Sequence, residues 1–321
     1  MICRICGNEE DNQSYEVQEM MIGYNDVFRY FQCAKCNCLQ ITEFPPDMSK
    51  YYPDSYYSLQ PILKRDRITK LLLHWRDKCA LYETGIIGKL LYARYPYPAL
   101  RGLSFVAFTK AATILDVGCG TGYLLYRLRE LGYKNVLGVD PFVKKDIEYK
   151  NGVRILRKTI HDVDGDWDMV MFHHSFEHLP DPRETLRTVS DLLKPDGVCI
   201  IAMPIVSSYA WEHYGVKWVQ IEAPRHFFLH SVESLGILAK EAALDVYNII
   251  YNSTSCQFWG SEQCKKNIHL SDRRSYLVSQ RKSIFSKKEI AYYARRAKEL
   301  NDMQRGDQAI FYLRKLRNIP A

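Results

Sequence analysis

The spacing of apolar residues changes several times along the chain, and each change predicts an element. Between residues 62 and 95, ILKRDRITKLLLHWRDKCALYE and IIGKLLYARY carry apolar positions at helical intervals, break near Gly85 and end at YPYP. This pattern predicts a helical bridge or lid in which LLLHW forms a buried face, the alternative being that LLLHW, flanked by Lys and Arg, rests on a membrane surface. Further on, Ile114, Leu115 and Val117 make a short apolar strand that runs into Gly118, Gly120 and Gly122, after which Leu124, Leu125, Leu128 and Leu131 recur at helical spacing. Strand, glycine turn and helix follow directly. More strands are predicted at Val136 to Val139, at RILRKTI, at WDMVMFH (Trp167 to His173) and at VCIIAMP, with Leu186, Val189, Leu192 and Leu193 as a buried helical stripe before the last. A helix is expected at about 231 to 243 with Ser231 as N-cap. Later, VYNIIY and the QFWG region read as a strand pair. Ser286-Lys-Lys-Glu289 is a capping box, and Ile290, Tyr293, Ala294, Ala297 and Leu300 give the following helix one apolar face. The ending, GDQAIFYLRKL, is apolar enough to pack on the main domain, and its pattern fits helix or strand.

A chain of 321 residues has room for one large domain with smaller attachments, and its 47% hydrophobic and 25% charged residues are those of a globular protein. MICRICGNEE lacks the apolar core of a secretory signal, and the longest apolar run, VCIIAMPIV, is too short to span a bilayer. A cytoplasmic protein with no transmembrane segment is the expectation. Positive charge gathers in two stretches: 15 Lys/Arg against 5 Asp/Glu from Lys265 to Arg317, and 10 against 3 from Lys64 to Lys110. Such flanks suit phosphates of a nucleic acid, a nucleotide-sugar or an anionic membrane face, and equally suit solvated helix surfaces. The 23 tyrosines add amphipathic surface able to stack on sugars or bases.

Four of the ten cysteines form CRIC (Cys3, Cys6) and CAKC (Cys33, Cys36). Two C-x2-C knuckles separated by 26 residues have zinc-ribbon spacing, in which four thiolates close a tetrahedral shell and leave no position for substrate water. A structural zinc ion is therefore expected, rather than a pair of disulfides in a chain with no export signal. Cys38 is a candidate substitute ligand, more simply a bystander. Pro and Tyr crowd the connector FPPDMSKYYPDSYYSL that follows.

The glycine turn is the most informative motif. Its glycines let the backbone turn sharply and approach a ligand, and the new helix offers its free amides. Asp140, at the carboxyl end of the next strand, is placed to accept hydrogen bonds from both ribose hydroxyls of an adenosine moiety. A nicotinamide fingerprint would read G-x-G-x-x-G; here the spacing is G-x-G-x-G, preceded by Asp116. With LDVGCGTGYL, WDMVMFH, HHSFEHLPDP and LLKPDGVCIIAMP in order, residues 110 to 250 resemble the class I S-adenosylmethionine-dependent methyltransferase family. The resemblance implies an α/β fold, a Rossmann-like seven-stranded sheet with helices on both faces, joined here to a small zinc ribbon and a helical basic C-terminal extension. Domain limits follow as 1–45 for the ribbon, 46–103 for connector and bridge, 104–265 for the S-adenosylmethionine-binding domain and 266–321 for the extension. It implies that Asp116, Gly118, Gly120 and Gly122 back the methionyl part of the cofactor, that Asp140 holds the ribose, and that Asp162 and His174 complete the cofactor side. Glu177 and His178 match the Glu-His pair near the methionyl end and the acceptor.

EAPRHFFLH, Glu222 to His230, falls after the fifth strand, where this architecture often builds the acceptor wall. Methyl transfer needs alignment and, for a hydroxyl acceptor, a base. His226 is the candidate base or acceptor-orienting group, Glu222 and Arg225 candidate contacts to an anionic or hydroxyl-rich acceptor, and Trp211 or Trp218 a stacking face. His230 reads as structural. A metal held by His226 and His230 would need a helix there, which Pro224 opposes. The ribbon, the YYPDSYY-like connector and the PRH segment resemble bacterial methyltransferases of deoxysugar and cell-surface polysaccharide pathways, which implies a small-molecule or glycan acceptor. Ribosomal RNA is the alternative; neither an Asn-Pro-Pro-Tyr type motif nor a Pro-Cys nucleophile is present. Sugar C-methyltransferases carry a fuller Tyr/His-Glu-His segment, so O-methylation is expected. A cofactor-binding protein without catalysis is the third reading.

Overall fold

The computed structural model describes residues 1–53, 57–63 and 65–316. Part of the Tyr-rich connector, Lys64 and Arg317 lie outside them. The strands, in chain order, are β1 (Gln13–Gln18), β2 (Val27–Gln32), β3 (Leu39–Ile41), β4 (Thr113–Val117), β5 (Asn135–Val139), β6 (Ile147–Glu148), β7 (Arg154–Leu156), β8 (Trp167–His173), β9 (Leu193–Pro204), β10 (Phe228–Leu229), β11 (Leu244–Tyr251) and β12 (Gln308–Lys315). The helices are α1 (Arg67–Tyr82), α2 (Ile86–Arg94), α3 (Pro98–Gly102), α4 (Tyr123–Glu130), α5 (Pro182–Leu192), α6 (Tyr209–Tyr214), α7 (Val232–Glu241), α8 (Cys256–Lys265) and α9 (Lys287–Asp302). They gather into two compact units interleaved along the chain: Met1–Pro53, Glu177–Leu186 and Met203–Phe311 in one, Asp54–Phe176, Arg187–Ala202 and Tyr312–Ala321 in the other.

In the second unit the strand order is β12-β9-β8-β4-β5-β7-β6, to which β12 contributes its residues from Tyr312. Strands β4, β5, β7, β8 and β9 are parallel neighbours, and β6 closes the edge antiparallel to β7. The α/β sheet is therefore mixed. A parallel pair needs a crossover, which α4 supplies between β4 and β5. Val117, Val139, Met169, Phe172 and Ile201 are all at or near zero exposure, as fits strands covered on both faces. Helix α1 starts at Asp66, whose side chain accepts the Thr69 amide. It crosses α2 closely, because a Cβ on Gly88 would stand 2.6 Å from the Trp75 carbonyl. The expectation that LLLHW forms a buried face fails at Leu71 and Leu72, which are exposed, as are Ile68, Ile86 and Leu90. A two-helix hairpin this thin has too few neighbours to cover all its apolar positions.

The first unit begins with an antiparallel sheet in the order β1-β2-β3-β10. Ser231 caps α7, accepting from Ser234. Strand β11 lies next to the first half of β12, so GDQAIFYLRKL holds a strand. This corrects the helical C-terminal extension: among its described residues α9 is the α-helix expected, with Ser286 and Glu289 closing its capping box. The QFWG region is also corrected, from strand to α8, where Phe258 packs against Ala297 and Leu300 of α9. Its aromatic residues suit a strand locally, but helix-spaced contacts with α9 decide the outcome. Among the described residues, no helix is long and apolar enough to cross a membrane.

Candidate functional site

The cofactor motifs come together in the second unit. Gly118, Gly120 and Gly122 all have positive φ, and Gly122 is the N-cap of α4. At Gly118 an added Cβ would lie 2.4 Å from the Ser175 Cβ, and at Gly120 it would lie 2.3 Å from the Ser58 carbonyl oxygen. Glycine is thus required by the chain's own packing, before any ligand is considered. The Thr121 amide donates to the same Ser58 carbonyl at 2.9 Å, and the Thr121 hydroxyl to that of Gln60. This covering segment, 58–60, carries no periodic or motif signal in the sequence.

Asp140 accepts the Gly120 amide on Oδ2 and the Phe142 amide on Oδ1, both at 2.8 Å. Asp116 is 3% exposed, and its Oδ1 has no hydrogen-bond partner among the described residues. Burial first, and the nearby Asp140 charge second, push its carboxyl well above the usual range. A buried, underbonded carboxyl beside a glycine turn suits a cationic ligand. Asp162, by contrast, is exposed and spends its carboxylate on its own turn, accepting from the Thr159 amide and hydroxyl. Those bonds hold its carboxyl below the usual range. His174 is exposed, in the left-handed region at φ 53°.

The first unit holds two further clusters. Cys3 and Cys36 stand 3.5 Å apart at sulfur, as do Cys6 and Cys33, and all four sulfurs lie within 4.8 Å of one another. A disulfide would need about 2.05 Å, whereas a tetrahedron with metal–sulfur bonds of about 2.3 Å has edges of about 3.8 Å. Each knuckle turns through a left-handed residue, Gly7 or Asn37, and the amides of Ile5 and Cys36 donate to the sulfurs of Cys3 and Cys33. The hydrogen bond from Cys36 lowers the Cys3 thiol to about 4 and raises that of Cys36. Cys38 is buried outside the cluster, with its thiol directed at the Leu39 carbonyl.

The second cluster is formed by Glu177, His178 and His226, whose ligand atoms also lie within 4.8 Å of one another. Glu177 and His178 sit on the short turn after β8. His226 sits in an irregular loop that includes a cis Ala223–Pro224 peptide. The loop is held by the cysteine-bearing sheet: Tyr30 donates to the His226 carbonyl at 2.8 Å, Ile41 to that of Phe227, and β10 pairs with β3. The His226 Nδ1–H donates to the Gln220 carbonyl at 2.7 Å, so its Nε2 faces Glu222 Oε2 at 3.7 Å and Glu177 Oε1 at 3.9 Å. The His178 Nδ1–H donates to the Arg225 carbonyl, with the Tyr52 hydroxyl oxygen 3.2 Å from the same nitrogen. His178 is half-buried as a residue, and burial of its ring, with the His226 charge second, lowers its pKa to about 4. Arg225 is 2% exposed and ion-paired with Glu222.

The two tryptophans are corrected as stacking faces. Trp218 is buried and donates to Asp307; Trp211 is 8% exposed, donates to Gln32 and packs edge-on against Tyr15. Their apolar bodies serve the packing of this unit, with each N–H satisfied. His230 is buried and bonded to Ser234, and burial lowers its pKa to about 4. Tyr52 was missed; only its place in a Tyr-dense run marks it.

A family model described as a methyltransferase domain matches residues 92–249. A ubiquinone biosynthesis O-methyltransferase of Nitrosospira multiformis is 30% identical over 154 residues, covering 43% of this chain and 64% of that protein. A tRNA U34 carboxymethyltransferase of Nautilia profundicola is 33% identical over 107 residues, covering 29% of this chain and 34% of that one. The chain thus spans less than two thirds of either relative's length. A cyclopropane synthase structure from Mycobacterium tuberculosis superposes with a TM-score of 0.44 at 14% identity, covering 78% of this chain and 99% of that one. A superposition this loose adds nothing to the strand order given above.

Proposed function

We propose that this chain, whose residues 92–249 match a methyltransferase-domain model, uses S-adenosylmethionine to methylate a hydroxyl of a sugar, nucleotide-sugar or surface glycan. The observation that carries this reading is the His226 imidazole, its Nδ1–H tied to Gln220 and its Nε2 turned toward two carboxylates. A ring so fixed suits a base or acceptor-orienting group. Similarity to a ubiquinone biosynthesis O-methyltransferase supports an oxygen acceptor. Arg225, Glu222 and Tyr52 add polar groups suited to a hydroxyl-rich molecule more than to a hydrocarbon.

S-adenosylmethionine supplies an electrophilic methyl on a sulfonium, and Asp116, Gly118, Gly120 and Asp140 are the residues that would hold it. In the transfer, the acceptor oxygen forms the new O–CH3 bond as the S–CH3 bond breaks, and the electron pair stays on sulfur to give S-adenosylhomocysteine. His226 would take the hydroxyl proton or orient the hydroxyl toward a neighbouring carboxylate that does. Cys3, Cys6, Cys33 and Cys36 would hold a structural zinc, whose role is to fix the sheet that carries the His226 loop.

The test is transfer of labelled methyl from S-adenosylmethionine into fractionated extract of the native cells, comparing wild type with His226→Gln and sorting product by nuclease and glycosidase sensitivity. Expected is glycosidase-sensitive product, reduced by about 10²- to 10⁴-fold in the variant with cofactor affinity retained. Nuclease-sensitive product would replace the glycan by RNA. Cofactor binding without any product would leave a binding protein.

A further inference from the structure

We infer that Glu177, His178 and His226 form a second metal site, separate from the four cysteines, that takes a divalent transition cation and presents it to the acceptor oxygen. This deepens the proposed function and rests on it for the identity of the acceptor. The geometry is that of converging electron-pair donors. One ligand atom from each of the three residues lies within 4.8 Å of the others. Because both Nδ1–H groups are spent on main-chain carbonyls, of Gln220 and Arg225, the lone pair of each imidazole resides on Nε2. A carbonyl holding the far ring nitrogen is the outer-shell arrangement that orients metal-bound histidine.

His226 Nε2 faces carboxylate oxygens at 3.7 and 3.9 Å. That is longer than a hydrogen bond and near the ligand-to-ligand edge of about 3.0–3.4 Å expected around a cation with bonds of about 2.1 Å. Small rotations of side chains would close it. Glu177 is fully buried beside the two imidazoles, and Glu222, which borders the cluster, is ion-paired with Arg225. Two imidazoles and one carboxylate suit zinc, iron, cobalt or manganese, and three protein ligands leave positions open for a substrate oxygen, unlike the closed four-thiolate shell. With the cation in place, His226 orients the acceptor through the metal instead of taking its proton. A hydroxyl bound to the cation would be acidified and would pass its proton to the Glu222 carboxylate, leaving an alkoxide as the methyl acceptor.

The experiment uses the full chain, stripped by a chelator, given one equivalent of Zn2+ for the cysteines and then titrated with Co2+ or Mn2+. The expected result is one further cation per chain, with cobalt absorption lacking the thiolate charge-transfer band and imidazole nitrogen couplings in pulsed electron paramagnetic resonance of the manganese form. Glu177→Gln and His226→Gln should each weaken this binding by about a hundredfold or more while cofactor binding persists. The spectroscopy on the unaltered chain decides the matter even if a variant misfolds. No second cation, thiolate-only ligation, or unchanged binding in both variants overturns the inference. Full methyl transfer by the chelated protein also overturns it while leaving the methyltransferase reading intact; a cation bound as expected in a chain that methylates no acceptor upholds the site and refutes that reading instead.

Discussion

Replacing Asp116 by Asn should stabilise the cofactor-free chain at neutral pH. The carboxyl is 3% exposed and lies near Asp140, so burial and a like charge both favour its protonated form in the folded state. In the unfolded chain the same group titrates near pH 3.9. Above that pH the unfolded chain has released a proton that the native chain still binds, so native stability falls as pH rises, until the raised native pKa is passed. Each pH unit in that window costs about 1.4 kcal/mol. Asp116→Asn removes the titration while keeping the shape. Urea denaturation at pH 5, 6 and 7 should therefore show the wild type losing up to about 1.4 kcal/mol per unit relative to Asp116→Asn. A difference between the two proteins that does not change with pH would refute the reasoning, and so would a wild type that gains on the variant as pH rises.

Three further outcomes are expected. Asp77 is fully buried between Arg76 and Arg127, with Arg127 Nε at 2.5 Å, so Asp77→Ala strands buried positive charge and should cost about 3–5 kcal/mol in denaturation; a loss under about 1 kcal/mol would mean that water reaches the arginines. Gly120→Ala imposes a Cβ at φ 56° and against the Ser58 carbonyl. It should cost about 1–2 kcal/mol from the backbone alone and speed hydrogen exchange at Thr121, and unchanged exchange there would count against the contact. Cys33→Ser removes one sulfur donor from the four-cysteine cluster and should abolish tight zinc uptake, measured as bound metal after dialysis, with faster proteolysis in residues 219–230 because β3 pairs with β10; full zinc content would remove the cluster as its holder.

The sequence by itself determined whatever rests on local geometry and short spacing. Gly118 and Gly120 between a strand and a helix, Asp140 at the end of the next strand, the Ser231 and Ser286 caps, and the two C-x2-C knuckles could all be read because each depends on neighbours a few residues away. Tertiary structure decided the rest. The QFWG segment became a helix because α9 offered it a helical partner, and Gln308–Lys315 became a strand because β11 and β9 offer it hydrogen-bonding neighbours. Trp211 and Trp218 turned inward since burial of large apolar rings, with each N–H satisfied, outweighs their usefulness as exposed faces. Most of all, the surroundings of EAPRHFFLH were set by contacts across about 50 to 200 residues of chain: Gln40 and Ile41 beside Phe227 and Phe228, the Tyr30 hydroxyl on the His226 carbonyl, and Glu177 facing the imidazole. No periodicity reports such pairings, because they are fixed by which surfaces can be buried together rather than by what a segment prefers alone.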